Sequence, residues 1–201
     1  MIIGICGGSA SGKTTLASKL KSINPDLATV VAMDSFYFDK SELSIEDCFC
    51  HNFDHPTAFD TELLVGKLKQ LMSGVPVRMP QYSYTTHART VSQELIYPCP
   101  IIIVEGLYLL LFQTIRELID YRVFLEVPET IRYNRIIERD SIERNDGIDA
   151  TRKIYLRDIK PMHELYIEPQ KGYADLILDY STEIWWAEKI SGLSVYREAT
   201  K

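Results

Sequence analysis

Apolar residues along the chain fall into two patterns, short β-branched runs and longer stretches in which they recur every three or four positions. Ile2 to Cys6, Ala28 to Ala32, Ile101 to Val104, Val123 to Val127 and Ala174 to Leu178 read as strands. Lys13 to Lys21, Thr61 to Met72, Leu107 to Leu118, Thr130 to Arg139 and a stretch near Thr151 to Tyr166 carry helical spacing. Strands that are apolar throughout and alternate with helices predict an α/β fold, a parallel sheet covered on both faces. Two segments break the alternation. Asp34 to Pro56 is polar and aromatic without a period; a loop of that length inside a compact domain is usually functional or disordered, and its aromatics favour function. Val75 to Pro100 holds Val77 to Met79 and Thr90 to Ile96 as the strands of a small β-ribbon standing off the sheet.

No repeat, low-complexity tract or Gly/Ser linker marks a boundary, so residues 1–201 are expected to form a single domain. Hydrophobic residues make up 46% and charged residues 25%, which excludes a disordered chain or a disulfide scaffold. The formal charge of −6 is ill suited to a polyanion, so bound phosphate must be met by local donors, and nucleic acid is not expected as a partner. The start lacks a basic and apolar leader, no apolar run approaches a membrane span, and the four cysteines, Cys6, Cys48, Cys50 and Cys99, suit a reducing compartment. A cytoplasmic protein with no membrane partner is expected. Cys48, Cys50, His51 and His55 cluster in sequence, but their spacing matches no established zinc pattern.

The chemistry begins at Gly7, Gly8, Ser9, Ala10, Ser11, Gly12, Lys13 and Thr14, followed by Thr15. This is the pattern GxxxxGK[ST] between an apolar strand and a helix, the context that makes it a phosphate-binding P-loop. Backbone N–H groups would converge on a phosphate at the helix N-terminus, Lys13 would neutralise β/γ charge, and the Thr14 hydroxyl would bind Mg²⁺. Glu105 ends the apolar strand Ile101 to Val104, and ligands of parallel sheets lie beyond the carboxyl ends of strands. It could hold Mg²⁺ directly or through water, or be a strand-end acid at the surface. Asp34 occupies the matching place after Ala32 and Met33. It fits a base for an attacking hydroxyl, and equally an Asx-turn or capping aspartate.

Asp34-Ser-Phe-Tyr37, Asn52-Phe-Asp-His-Pro-Thr-Ala-Phe-Asp60, Pro80-Gln-Tyr-Ser-Tyr-Thr-Thr-His-Ala-Arg89, Val104-Glu-Gly106, Arg139-Asp-Ser-Ile-Glu-Arg144, Lys160-Pro161 and Tyr173-Ala-Asp175 together resemble the uridine kinase (uridine-cytidine kinase) family. The resemblance implies a P-loop kinase fold with a helical lid, and transfer of the γ-phosphate of ATP or GTP to the 5′-hydroxyl of a pyrimidine nucleoside. It implies that Asp34 is the base and lies near the metal, that Thr14 and Glu105 complete the Mg²⁺ site, and that Asp54 grips the ribose hydroxyls. Tyr82 and His87 would read the pyrimidine edge, with Tyr37, Phe53 and Tyr84 walling the pocket; without the resemblance, Tyr82 and His87 read as ordinary ribbon residues. Arg139 and Arg144 would clamp the transferring phosphoryl group. A homotetramer is also implied.

The lid departs from the family, which places arginines where this chain has Ile136 and Asp146. Arg152 or Arg157 is a candidate to compensate. Rival readings are a kinase for another small hydroxyl acceptor, a phosphorylated sugar or a vitamin riboside, and a non-catalytic nucleotide-binding regulator. A GTPase switch would carry Asn-Lys-x-Asp, which the sequence lacks.

Overall fold

A computed structural model describes residues 1–143, 147–193 and 196. In chain order the elements are β1 (Ile2–Gly7), α1 (Lys13–Ile23), β2 (Ala28–Ala32), α2 (Ile45–Cys50), α3 (Thr61–Met72), β3 (Val77–Tyr82), β4 (Arg89–Ile96), β5 (Ile101–Gly106), α4 (Gln113–Arg116), β6 (Tyr121–Glu126), α5 (Glu129–Glu143), α6 (Ile148–Ile154), α7 (Lys160–Met162), β7 (Leu176–Asp179) and α8 (Trp186–Ser191). Five strands form a sheet in the order β2-β5-β1-β6-β7. Its pairings are all parallel.

Strand residues alternate between the two faces, and because both are covered both sets are apolar. Ile2, Cys6, Ile102, Val104 and Phe124 pack with Leu64, Leu68 and Leu71 of α3. On the other face Ile3, Ile5, Ile101, Ile103, Val123 and Leu125 meet Leu16, Ala17 and Leu20 of α1 and Trp186 and Ile190 of α8. A third, smaller cluster of Ile136, Tyr155 and Ile159, with Ala10 against it, joins α5 to the helical segment that follows.

The ribbon is present and longer than the sequence pattern indicates, β3 pairing antiparallel with β4 from Val77↔Ile96 to Tyr82↔Arg89. Inside the long aromatic loop, α2 is a helix that the period did not reveal; Ser44 caps it by accepting from Asp47 N at 3.1 Å. The strand expected from Ala174 begins at Leu176, because residues 168–173 wind as a 3₁₀ turn.

The helix expected over Leu107 to Leu118 is reduced to α4. Leu107 to Leu110 are all buried, and their backbone is taken by a side chain instead of by a helical ladder. Gln170 Oε1 accepts from Leu110 N at 2.9 Å and from the Cys6 thiol at 3.1 Å, while Gln170 Nε2 donates to the carbonyls of Leu107 at 2.8 Å and Tyr166 at 2.9 Å. The helix expected near Thr151 to Tyr166 starts at Ile148 and passes through wide π-type turns at Tyr155–Ile159 and His163–Ile167. Pro161 explains the first widening, since it lacks an N–H and its ring crowds the carbonyl four residues back, and Pro169 stands just past the second.

Candidate active site

The P-loop leaves β1 at the carboxyl end of the sheet and turns directly into α1. Gly12 makes that turn at φ 92°, a left-handed conformation costly for any residue with a Cβ. Lys13 is buried, and its ammonium donates to Gly8 O at 2.8 Å. The Ser11 hydroxyl is buried without a hydrogen-bond partner, an unmet polar group inside the anion-binding turn.

β5 lies between β1 and β2, with Glu105 paired to Ile5 on one side and Ala32 on the other. The 3₁₀ turn Met33–Phe36 that follows β2 crosses over the end of β5 and carries Asp34. Such a crossing requires Gly106, where a Cβ would lie 2.4 Å from Met33 Cβ. Thr14 Oγ1 donates to Glu105 Oε1 at 2.9 Å, which ties the P-loop to the neighbouring strand. Burial, then the charge of Asp34, push the Glu105 carboxyl up to about 7, with Lys13 and the Thr14 hydrogen bond opposing. Asp34 accepts from the Tyr84 hydroxyl at 2.8 Å through Oδ2, while its Oδ1 is buried without a partner.

Beyond Asp34 lies an aromatic pocket. Tyr37 stacks obliquely on Phe59 at 4.1 Å and on Tyr82 at 4.9 Å, with Tyr84 edge-on at 6.1 Å. The Tyr82 hydroxyl and His87 Nδ1 are 3.0 Å apart, and Phe53 lies flat against the His87 ring at 4.3 Å. The ribbon is fixed to this pocket by Arg89, which bonds Asp60 at 2.9 Å through its side chain and Asp39 at 2.8 Å through its N–H. His87, at φ 51°, accepts from Lys40 N at 2.8 Å.

A single cavity of about 990 Å³ runs from the P-loop to the ribbon. Ser9, Ala10, Gly12, Lys13, Thr14 and Thr15 line its first end, and Asp34, Glu105 and Arg139 its middle. Tyr37, Phe53, Asp54, Tyr82, Tyr84 and His87 line the other end. Gly7, Gly8 and Ser11 support the turn from outside the lining. Arg144 and Asp146 lie outside the described residues.

Ile136 is not at a vacant clamp position. Its side chain is 0% exposed inside the third hydrophobic cluster and is not among the residues that line the cavity. Arg152 is not among the cavity's lining residues; its side chain is 58% exposed, beside Asp149 at 3.8 Å. Arg157 does line the cavity, bonded to the buried Asp158 at 2.5 Å. Arg135, Glu183 and Lys40 also line it and were not singled out from sequence. Arg135 was legible as a cation one helical turn before Arg139; Glu183 and Lys40 carried no signal.

The donor set at the middle of the cavity suits a magnesium ion, whose remaining ligands would be water and phosphate oxygens. Two carboxylates and a hydroxyl converge there, and one carboxylate oxygen is an unpartnered acceptor. Among the described residues no group of three or more His, Cys, Asp or Glu side chains is placed to hold a metal. In particular, His55 bonds Thr57 at 2.8 Å and His51 meets Phe53 edge-on at 4.6 Å. The four cysteines are free thiols. No helix among the described residues is long and apolar enough to cross a membrane.

The sequence matches the Phosphoribulokinase / Uridine kinase family (PRK) over residues 2–184. It is 41% identical over 182 residues to a uridine kinase of Streptococcus agalactiae serotype V, a match covering 89% of this chain and 86% of that one. It is 40% identical over 179 residues to a uridine kinase of Clostridium tetani, covering 89% and 86%. Among solved structures, a possible uridine kinase from Bacillus stearothermophilus superposes with a TM-score of 0.63 at 21% identity, over 89% of this chain and 88% of that one. Phosphoribulokinase from Rhodobacter spheroides does so with a TM-score of 0.61 at 15% identity, over 89% and 69%. A P-loop facing two carboxylates at the strand ends, and sequence likeness along nearly nine-tenths of the chain, place this protein in the phosphoribulokinase/uridine kinase family of P-loop kinases.

Proposed function

We propose that the protein transfers the γ-phosphate of a nucleoside triphosphate, ATP or GTP, to the 5′-hydroxyl of uridine or cytidine in pyrimidine salvage. The observation that carries this reading is the buried, unpartnered Asp34 Oδ1 at the junction between the P-loop and the aromatic pocket. Phosphoryl transfer asks a protein to position the nucleophile and spread charge. A carboxylate oxygen with nothing to accept is suited to take the hydroxyl proton, and the Tyr84 hydroxyl on Oδ2 holds the group in orientation.

Lys13 and the P-loop amides would receive the triphosphate, and Arg139, with Arg144 from beyond the described residues, would offset charge on the transferring group. Thr14, Asp34 and Glu105 would hold Mg²⁺, which when bound neutralises phosphate charge. Asp54, an acceptor-only carboxylate on the cavity wall, suits a ribose diol, and the Tyr82–His87 pair suits a pyrimidine edge. The free thiols support a cytoplasmic protein, and the family resemblance supports a homotetramer, which light scattering tests.

The decisive experiment measures triphosphate consumption by the purified protein across nucleosides, sugars and vitamin ribosides. Uridine and cytidine should surpass their 2′-deoxy forms by up to about 10⁴-fold, because a deoxyribose lacks the hydroxyl that Asp54 would bind. Comparable kcat/KM for uridine, deoxyuridine and adenosine would refute the acceptor assignment, and preference for a non-nucleoside would favour the rival kinase.

A further inference from the structure

The donor half of the cavity is spanned by an ion pair that the roles above leave unused. Arg135 projects from α5, and Glu183 from the 3₁₀ turn Tyr180–Trp185 that follows β7 at the carboxyl end of the sheet. Both line the cavity beside Ala10 and Gly12. Arg135 Nη2 donates to the two Glu183 oxygens at 3.0 and 2.9 Å, and Nη1 reaches Ala10 O at 3.4 Å. The guanidinium carbon lies 5.5 Å from the centre of the Tyr180 ring. Glu183 rests against the turn into α1, since a Cβ on Gly12 would lie 3.4 Å from its Oε1.

Three surfaces therefore fix one guanidinium: a carboxylate below, a P-loop carbonyl beside it and an aromatic ring alongside. Ala10 sits at φ 57°, at the crest of the turn, and its carbonyl is an acceptor beside a site built for an anion. Arg135 covers that oxygen. A guanidinium has five N–H donors, and these contacts leave others to meet an incoming phosphate. The pair is about one-third exposed on each side, 34% and 31%, a setting in which an ion pair contributes little to stability. Its value must then lie in orientation, since a free arginine on a helix surface would sample many rotamers.

We propose that Glu183 is a positioning residue of the donor site, holding Arg135 at the P-loop crest as a preset clamp for the phosphates of the donor. This rests on the reading of the cavity as a kinase site and adds the residue that organises its donor end. Arg139, one helical turn beyond Arg135 and bonded to Asp140 at 2.7 Å, serves the middle of the cavity. The two arginines thus divide the phosphate chain between them.

The test combines steady-state kinetics, thermal melting and binding of a fluorescent nucleoside triphosphate without acceptor, for Glu183→Ala, Glu183→Gln, Arg135→Ala and the double variant. Glu183→Ala should raise donor KM and donor Kd about tenfold, leave acceptor KM within about twofold, and leave the melting temperature unchanged. Glu183→Gln, which keeps the shape and loses the charge, should fall between. The double variant should be no worse than Arg135→Ala, because Glu183 acts only through Arg135. Donor affinity unchanged in Glu183→Ala, losses that add in the double variant, or a fall in donor affinity matched by a fall in melting temperature would each overturn the proposal. The binding measurement needs no acceptor, so an error about the acceptor leaves it intact; wild-type protein that binds no triphosphate would instead refute the P-loop assignment.

Discussion

The hydroxyl of Thr14 and the carboxylate of Glu105 meet at 2.9 Å across the gap between the P-loop and β5. Glu105 is 3% exposed, with Asp34 as a neighbouring charge, and its carboxyl is raised from 4.5 to about 7. The folded, ligand-free protein therefore holds this proton more tightly than the unfolded chain does. The stability it contributes is complete below about 4.5 and is lost as pH rises toward about 7. Thermal melts between about pH 5 and pH 7 should accordingly show wild type losing stability relative to Glu105→Gln as pH rises. Parallel curves for the two proteins would show that Glu105 keeps an ordinary carboxylate pKa.

Lys13 and Asp34 should fail in different ways. Lys13→Ala removes the charge proposed to meet donor phosphate in both the ground state and the transition state, so donor binding and turnover should fall together. Asp34→Asn keeps the shape and loses the proposed base, so kcat should drop about 10²-fold or more while nucleoside binding stays within a few-fold. Steady-state kinetics with calorimetric nucleoside binding separates the two patterns. Wild-type turnover in Asp34→Asn would remove Asp34 from the chemistry.

Asp54 is the subject of a discrimination test. Its carboxylate is on the cavity wall, and its backbone is fixed by the Tyr108 hydroxyl on its carbonyl and by Asn52 Oδ1 on its N–H at 3.0 Å. Asp54→Ala should therefore lose most of the preference for ribose over 2′-deoxyribose without unfolding, the ratio of kcat/KM values collapsing toward one. A retained preference in the variant would assign sugar recognition to another side chain.

Placing an arginine at Ile136 should harm the fold. Ile136, Tyr155 and Ile159 form an apolar cluster in which the Tyr155 hydroxyl is already bonded to Glu129 Oε1 at 3.0 Å. Ile136→Arg should destabilise by about 3 kcal/mol or more, as an unpaired buried charge does. For a domain of this size that lowers the melting temperature by roughly 6–12 °C. Ile136→Val, which removes one methylene, should cost about 0.5–1.5 kcal/mol. An unchanged melting temperature for Ile136→Arg would mean that the side chain escapes to solvent.

What the sequence made legible followed from local rules. Strands apolar throughout, such as Ile101 to Val104, announce a parallel sheet, and the P-loop pattern is chemistry written in adjacent residues. Asp34 was ambiguous because an aspartate after a strand caps turns as readily as it serves a hydroxyl; the unmet Oδ1, which no sequence pattern shows, is what supports the second reading. Leu107 to Leu118 misled because a buried apolar run has no period that tells a helix from a segment held by a distant glutamine. Ile136 looked like a missing arginine when positions were compared by family pattern, whereas its direction on α5 is set by packing against Tyr155 and Ile159. Glu183 could not be read at all, since its relation to Arg135 exists only after β7 is laid beside β6.

Gln170, 1% exposed, ties the end of β1, the exit of β5 and the last turn at Tyr166 into one joint. In mechanical terms it is an anchor. The helical arm running back from it reaches Arg157 over roughly 20 Å, at 1.5 Å per residue. The far end is braced as well: Tyr155 packs on Ile136 and donates to Glu129 at 3.0 Å, and Lys160 pairs with Glu129 at 2.8 Å. Held at both ends, the arm is a strut that keeps Arg157 at the cavity wall.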